Sequence, residues 1–365
     1  MILLQPGSID TLDELRGALQ MAIKLEHATL PPYLTAFFTL KGTGPGALYA
    51  AQTLHDVFME EMLHMHLACN IMNAVGGQPA INSPDFIPAY PTALPMGIGS
   101  EEPGGLTVGI KRYSNDTVHK TFMGIEEPED PVDIETRAAR LDLSGLSARG
   151  AVRAALFAAP TTTYKTIGEF YFAVAAAIQM LAKTENIFTG DPGLQVPGAI
   201  LVHDVESAIE AITTIITQGE GTSTSPTDDP QGELAHYYRF EELYRRMKIV
   251  PDPNAQSGYS FDPSQPIDVD DVADVIQMVD NPMLIKLDPQ ADWRAVQLSD
   301  EFDATYTKLL NCLHIAFNGT PDRINDAIPL MYELKNSAEE LLQQRISTGP
   351  FAGQFAGPRF RYVGP

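Results

Sequence analysis

Runs of apolar residues at helical spacing open the chain, break off for some eighty residues, and then return. In the first run Leu15, Leu19, Ala22, Ile23 and Leu25 fall on one side of a helix, because positions three and four apart share a face. Ser8 or Asp10 would cap its start, with Glu14 in the first turns. The Pro31-Pro32 pair should kink or break it, since proline removes donors and clashes with the preceding turn. Helical character resumes from Tyr33 to Leu40. A turn at 42–46 leads to a second long helix, about Ala47 to Val75, which stops at Gly76-Gly77.

From Gln78 to about Thr161 the pattern is lost. Prolines and glycines are frequent, 106–110 reads as a short strand, 126–131 as a loop, and 138–157 as a short helix weakened by Gly145 and Gly150. A stripe then reappears at Ile167, Phe170, Tyr171, Val174, Ile178 and Leu181. A turn at Gly190 follows, then a fourth helix from about Ala199 to Thr217. A polar loop at 219–232 interrupts this last element, and helix resumes over 233–244. Residues 251–266 read as a linker, 268–279 as weakly helical, and 298–317 and 327–345 as two further helices. The tail from Gly349 carries Phe351, Phe355, Phe360 and Tyr362, which should pack it back on the body. The expected architecture is all-α: a four-helix bundle over 1–250 with an irregular insertion at 78–161, and a linker with a helical extension over 251–365.

Composition narrows the function classes. With 365 residues, 44% of them hydrophobic and 19% charged, the chain is ordinary globular material. Its 47 acidic against 24 basic residues leave a net charge of −23, which argues against nucleic-acid or anionic-membrane partners. The first residues lack a basic n-region and a full apolar core, and no apolar run reaches the length of a membrane span. Cytoplasm is the default expectation; self-association is left open. Cys69 and Cys312 sit among apolar neighbours as buried thiols, so any metal must be held by carboxylates and histidines.

Such residues occur where they would be needed. Glu61 and His64, three apart within the second helix, project the same way and suit iron, manganese or zinc. The turn at 42–46 lies midway between Glu26 and Glu61, so in an antiparallel pair these two are level. Di-metal carboxylate bundles place one Glu on each of two helices and a Glu-x-x-His on each of the other two. In the second half Glu169 is the corresponding Glu, and equidistance from the second turn picks Glu220 on the returning helix. No His lies three residues after Glu220; the nearest downstream is His236. The fourth-helix pair is therefore Glu220 with His236, favoured on depth, or Glu233 with His236. Glu60 reads as solvated, His27, His55 and His66 as surface or supporting groups, and Tyr33, Tyr171, Tyr237 and Tyr238 as core aromatics.

Three segments carry a resemblance: Leu25 to Leu34, Glu60 to His64, and Gln218 to Gly221 with His236 to Phe240. Over roughly Leu12 to Tyr244 the chain resembles the ferritin-like domain of the iminophenyl-pyruvate dimer synthase family, which includes a domain of bisindole-pigment enzymes that couple amino-acid-derived imines. The resemblance implies a four-helix core and a carboxylate-histidine metal site. The expected function is a di-metal oxidoreductase, with two ions of iron (manganese second), acting with dioxygen or peroxide on a small organic substrate in secondary metabolism. Ferroxidase or metal-handling activity, and a non-catalytic scaffold, are the alternatives.

Overall fold

The computed structural model describes residues 9–99, 106–134, 164–221, 225–227 and 232–364. Helix α1, Leu12–Thr39, starts at Thr11, whose side chain accepts from the Glu14 N–H while Glu14 reaches back to the cap. This reciprocal capping box, not Asp10, starts the helix, and Ser8 lies outside the described residues. Pro31 and Pro32 do not break α1. The Ala28 carbonyl, deprived of its usual donor at Pro32, accepts the Tyr90 hydroxyl at 2.7 Å instead, so tertiary structure offsets the lost bond.

Helix α2, Pro45–Ala74, returns antiparallel to α1. The 115–126 segment forms α3, helical throughout with wider π-type turns over Val118–Phe122. Helix α4 spans Ile167–Leu181 and α5 spans Val205–Gly219. The latter begins later than its apolar pattern suggests, because Asp204 caps it with a bond to the Ser207 N–H. Contacts run α1 to α2, α2 to α5, α5 to α4 and α4 back to α1, which closes a four-helix ring.

The ring is uneven. At 15 residues each, α4 and α5 are about 22 Å long, whereas α1 and α2 reach about 42 and 45 Å. The remaining length is covered by α3 and by α6, His236–Arg245. Phe122 of α3 and Phe240 of α6 both pack on Tyr33 of α1, with ring centroids 5.0 and 5.3 Å away. The third and fourth corners of the bundle are thus each built of two pieces, α3 with α4 and α5 with α6. Each fully buried Leu or Ile on the inner faces, such as Leu19, Ile23 and Ile178, contributes about 2 kcal/mol.

Beyond α6 the chain departs from expectation. Strands β1, Met247–Pro251, and β2, Tyr259–Pro266, form an antiparallel hairpin where the Pro- and Ser-rich composition suggests a linker. Cross-strand pairing, which composition does not report, decides it. The 106–110 stretch makes only an isolated bridge, Thr92 to Val108, and 268–279 is non-helical. The helix expected at 138–157 lies outside the described residues. Helices α7, Trp293–Phe317, and α8, Ile324–Leu341, pack together. The extension contacts the bundle directly: the Tyr306 hydroxyl lies 2.5 Å from His27 Nε2, and Asn73 Nδ2 donates to the Phe317 carbonyl. Phe360 of the tail is fully buried against Phe302 and Tyr306. Among the described residues no helix is long and apolar enough to cross a membrane.

Candidate metal centre

Five ionisable side chains meet at the level where the long helices outrun the short ones. Glu26 comes from α1, Glu61 and His64 from α2, Glu126 from the end of α3, and His236 from the start of α6. None exceeds 2% exposure. They form two three-donor groups, Glu26–Glu61–His64 and Glu61–Glu126–His236, each with donor atoms within 4.8 Å of one another. Glu61 belongs to both. Its Oε1 lies 3.5 Å from His64 Nδ1 and 3.0 Å from His236 Nδ1.

The supporting contacts repeat across the pair. His64 turns Nδ1 inward while Nε2 meets Gln218 Oε1 at 3.0 Å. His236 turns Nδ1 inward while Nε2 meets Glu60 Oε2 at 2.8 Å, and Arg239 holds Glu60 by an N–H at 3.0 Å. Anchoring the outer nitrogen fixes both ring orientation and tautomer. The Tyr171 hydroxyl donates to Glu26 Oε1, and the Tyr33 hydroxyl donates to Glu126 Oε1 at 2.5 Å. Thr29 Oγ1 lies 2.7 Å from both Glu61 Oε2 and the Glu26 carbonyl.

Electrostatics divide the carboxylates. Burial pushes Glu26 up to about 7, with His64 opposing and the Glu61 charge adding. Burial also raises Glu126, and the Glu61 charge adds to it. Glu61 moves the other way: burial opposes its ionisation, but the two histidines outweigh it and hold the carboxyl well below the usual range. Burial alone would lower His64, yet Glu26 and Glu61 carry it up to about 10, and His236 is raised by Glu126, Glu60 and Glu61 against the same burial. Burial keeps the phenols of Tyr33 and Tyr171 protonated, well above their ordinary range, so both remain donors.

The donor set fits divalent metal. Carboxylate oxygen with imidazole nitrogen suits iron, manganese or zinc. Three carboxyl groups buried together are costly unless protons or cations compensate them. His236 Nδ1 is fully buried and makes no hydrogen bond among the described residues despite its short distance to Glu61. Once the imidazole gives up its proton, that buried nitrogen faces the carboxylates as a ligand atom would.

Other residues singled out by spacing lie elsewhere. Glu169 is half-buried in the first turn of α4, where its carboxylate accepts the Lys165 N–H and its own N–H donates to Thr166. Thr166 caps α4, and the Glu169 carboxylate is taken up by the Lys165 N–H just outside the helix. Glu220 is buried next to the cluster but outside both three-donor groups. Its Oε1 accepts the Gly168 N–H at 2.7 Å, so it covers the N-terminus of α4. Burial pushes it up to about 8, the Gly168 N–H opposing and the Glu126 charge adding. A Cβ on Gly168 would sit 2.5 Å from Glu220 Oε2, which is why glycine stands there. Glu233 is exposed and pairs with Arg239 at 3.1 Å.

Glu126, Glu60 and Gln218 are the residues that sequence reasoning overlooks. A signal for Glu126 exists: Val118, Phe122 and Ile125 are spaced as one helical face, and Glu126 continues it four residues after Phe122. Glu60 lies next to Glu61 in sequence, but α6 folds over it, leaving its side chain 19% exposed.

A family model described as Ferritin-like matches residues 19–245. A crystal structure of a ferritin-like protein from Caulobacter vibrioides superposes with a TM-score of 0.60 at 20% identity, covering 97% of this chain and all of that one. At that identity the likeness bears on the fold. No curated protein sequence matches the chain.

Proposed function

The chain belongs to the Ferritin-like family, and on that footing we propose that it is a di-iron carboxylate oxidoreductase using dioxygen or peroxide on a small organic substrate. One observation carries this reading: a single carboxylate, Glu61, is shared by two buried three-donor groups, each completed by a histidine whose far nitrogen is anchored. Two such groups with one common member are what a pair of ions a few ångströms apart requires. Bound iron would supply the electrons that reduce the oxidant.

The protein's part is positional. Gln218 and Glu60 prevent the rings of His64 and His236 from flipping, and Arg239 offsets the Glu60 charge. Tyr171 and Tyr33 hold one oxygen each of Glu26 and Glu126, leaving the other oxygen to face inward. Burial of the cluster keeps bulk water from a reactive centre. The resemblance to the iminophenyl-pyruvate dimer synthase family suggests an amino-acid-derived imine as substrate and a place in secondary metabolism.

The test is elemental analysis after anaerobic reconstitution with ferrous iron, followed by oxygen-uptake measurements with and without amino-acid-derived imines. About two irons per chain and substrate-dependent uptake support the proposal. Iron that binds and oxidises with no effect of substrate would instead mark a metal-handling protein. Absence of stoichiometric metal would leave a scaffold.

A further inference from the structure

Away from the cluster, the C-terminal region holds a groove of about 400 Å³, within the ~300–1,000 Å³ range of small-molecule sites. Its walls include Met283, Leu284, Ile285 and Val296, and its lining includes Lys286 and Arg361. Leu284 is 66% exposed, an apolar side chain left in water on the groove.

Lys286 and Arg361 bring positive charge to the groove, and the Asp303 carboxylate lies within electrostatic reach of Arg361. Arg359 also lines the groove, but its guanidinium donates to Asp303 and Asp300 and its charge is matched. Arg361 donates one N–H to the Met283 carbonyl at 2.7 Å. Neither it nor Lys286 forms an ion pair among the described residues. Phe360, between the two arginines, is left-handed with φ 52° and has its ring fully buried. A non-glycine residue rarely holds that conformation unless packing enforces it. The Arg361 rim is therefore pinned to the core.

We propose that this groove binds a small organic acid, with its alkyl or aryl body against Met283, Leu284, Ile285 and Val296 and its carboxylate on Lys286 and Arg361. Apolar walls with a few convergent polar groups are the ordinary make-up of a ligand site. Lys286 and Arg361, neither in an ion pair among the described residues, give the groove a local positive charge that favours an anionic head against the chain's net charge of −23. A hydrophilic anion lacks the body and a neutral alcohol lacks the head.

The experiment titrates the full, metal-loaded chain with 3-phenylpropionate, octanoate and the neutral 3-phenylpropanol by calorimetry. The sole tryptophan, Trp293, one turn before Val296 in α7, serves as a fluorescence reporter. The proposal expects one saturable site for an acid, about tenfold weaker binding of the alcohol, and at least about tenfold loss in Lys286→Glu/Arg361→Glu. Leu284→Asp, at an exposed position, should weaken binding too, and thermal melts confirm that the variants fold. No saturable binding of either acid would overturn the proposal. So would equal affinity for acid and alcohol, or undiminished binding in the charge-reversed variant.

Discussion

Replacing Glu61 by glutamine keeps the side chain's shape and removes the one charge that both histidines face. In the metal-free protein His64 and His236 are held protonated, their rings stacked with centroids 5.6 Å apart. Glu61 Oε1 stands 3.5 and 3.0 Å from their inner nitrogens. Removing one partner from a buried ion pair costs about 3–5 kcal/mol. The variant also escapes the cost of burying its own carboxylate, and a histidine can shed its proton, so the low end applies, about 3 kcal/mol. For a chain of this size, about 2 °C per kcal/mol makes that a fall of about 6 °C in Tm. The same change should abolish binding of both ions, because each three-donor group loses a member. Calorimetric melts in chelator and elemental analysis after iron reconstitution read the two effects separately. A Glu61→Gln protein that melts with wild type and still takes up about two irons would refute the shared-carboxylate reasoning.

Three further outcomes are expected. Glu126→Gln should retain the Glu26–Glu61–His64 group and drop the iron content from about two to about one per chain, as measured by elemental analysis. In the metal-free protein, Glu26 and Glu220 titrate near 7 and 8, above the ordinary 4.5, and His64 near 10, above 6.5. Each contributes stability that is full below its unfolded value and lost as pH rises through the folded one, so Tm in chelator should fall from about pH 5 to pH 8 and further towards pH 10. Metal must displace the protons of Glu26 and His64, so iron uptake should release protons and tighten over the same interval, which pH-stat titration detects. Gly190→Ala would place a Cβ 1.7 Å from the Asn73 carbonyl; backbone cannot yield as a side chain does, and a loss of about 3 kcal/mol or more is expected in denaturant unfolding.

Much of the bundle is legible in the sequence because α1, α2 and α4 carry continuous apolar stripes. The same periodicity, with the turn placed midway, puts Glu26 level with Glu61 and His64. Legibility fails where two short pieces stand in for one helix. Depth counted along an uninterrupted helix leads to Glu169 and Glu220, but α4 and α5 end at the level of the cluster, and α3 and α6 bring Glu126 and His236 there. Glu126 is followed by Glu127 and Pro128, a composition that reads as loop. Its neighbour Phe122 is buried between Tyr33 of α1 and Phe240 of α6, contacts that no local sequence pattern reports. The hairpin after α6 is hidden for a similar reason, since its strands are stabilised by each other and not by an alternating pattern.

The two-piece corners also set a timetable for synthesis. Glu26, Glu61 and His64 all lie on the α1–α2 hairpin, whose ends are joined by a short turn, so that half can assemble as soon as α2 leaves the ribosome. Glu126 follows 65 positions after Glu61, and His236 only 175 positions after it. Long-range closure of this kind is slow relative to hairpin formation. A nascent chain would therefore carry only the Glu26–Glu61–His64 half of the centre for nearly half of its translation. The Glu61–Glu126–His236 group exists only once the late helix α6 has docked, so loading of both groups would depend on a finished bundle.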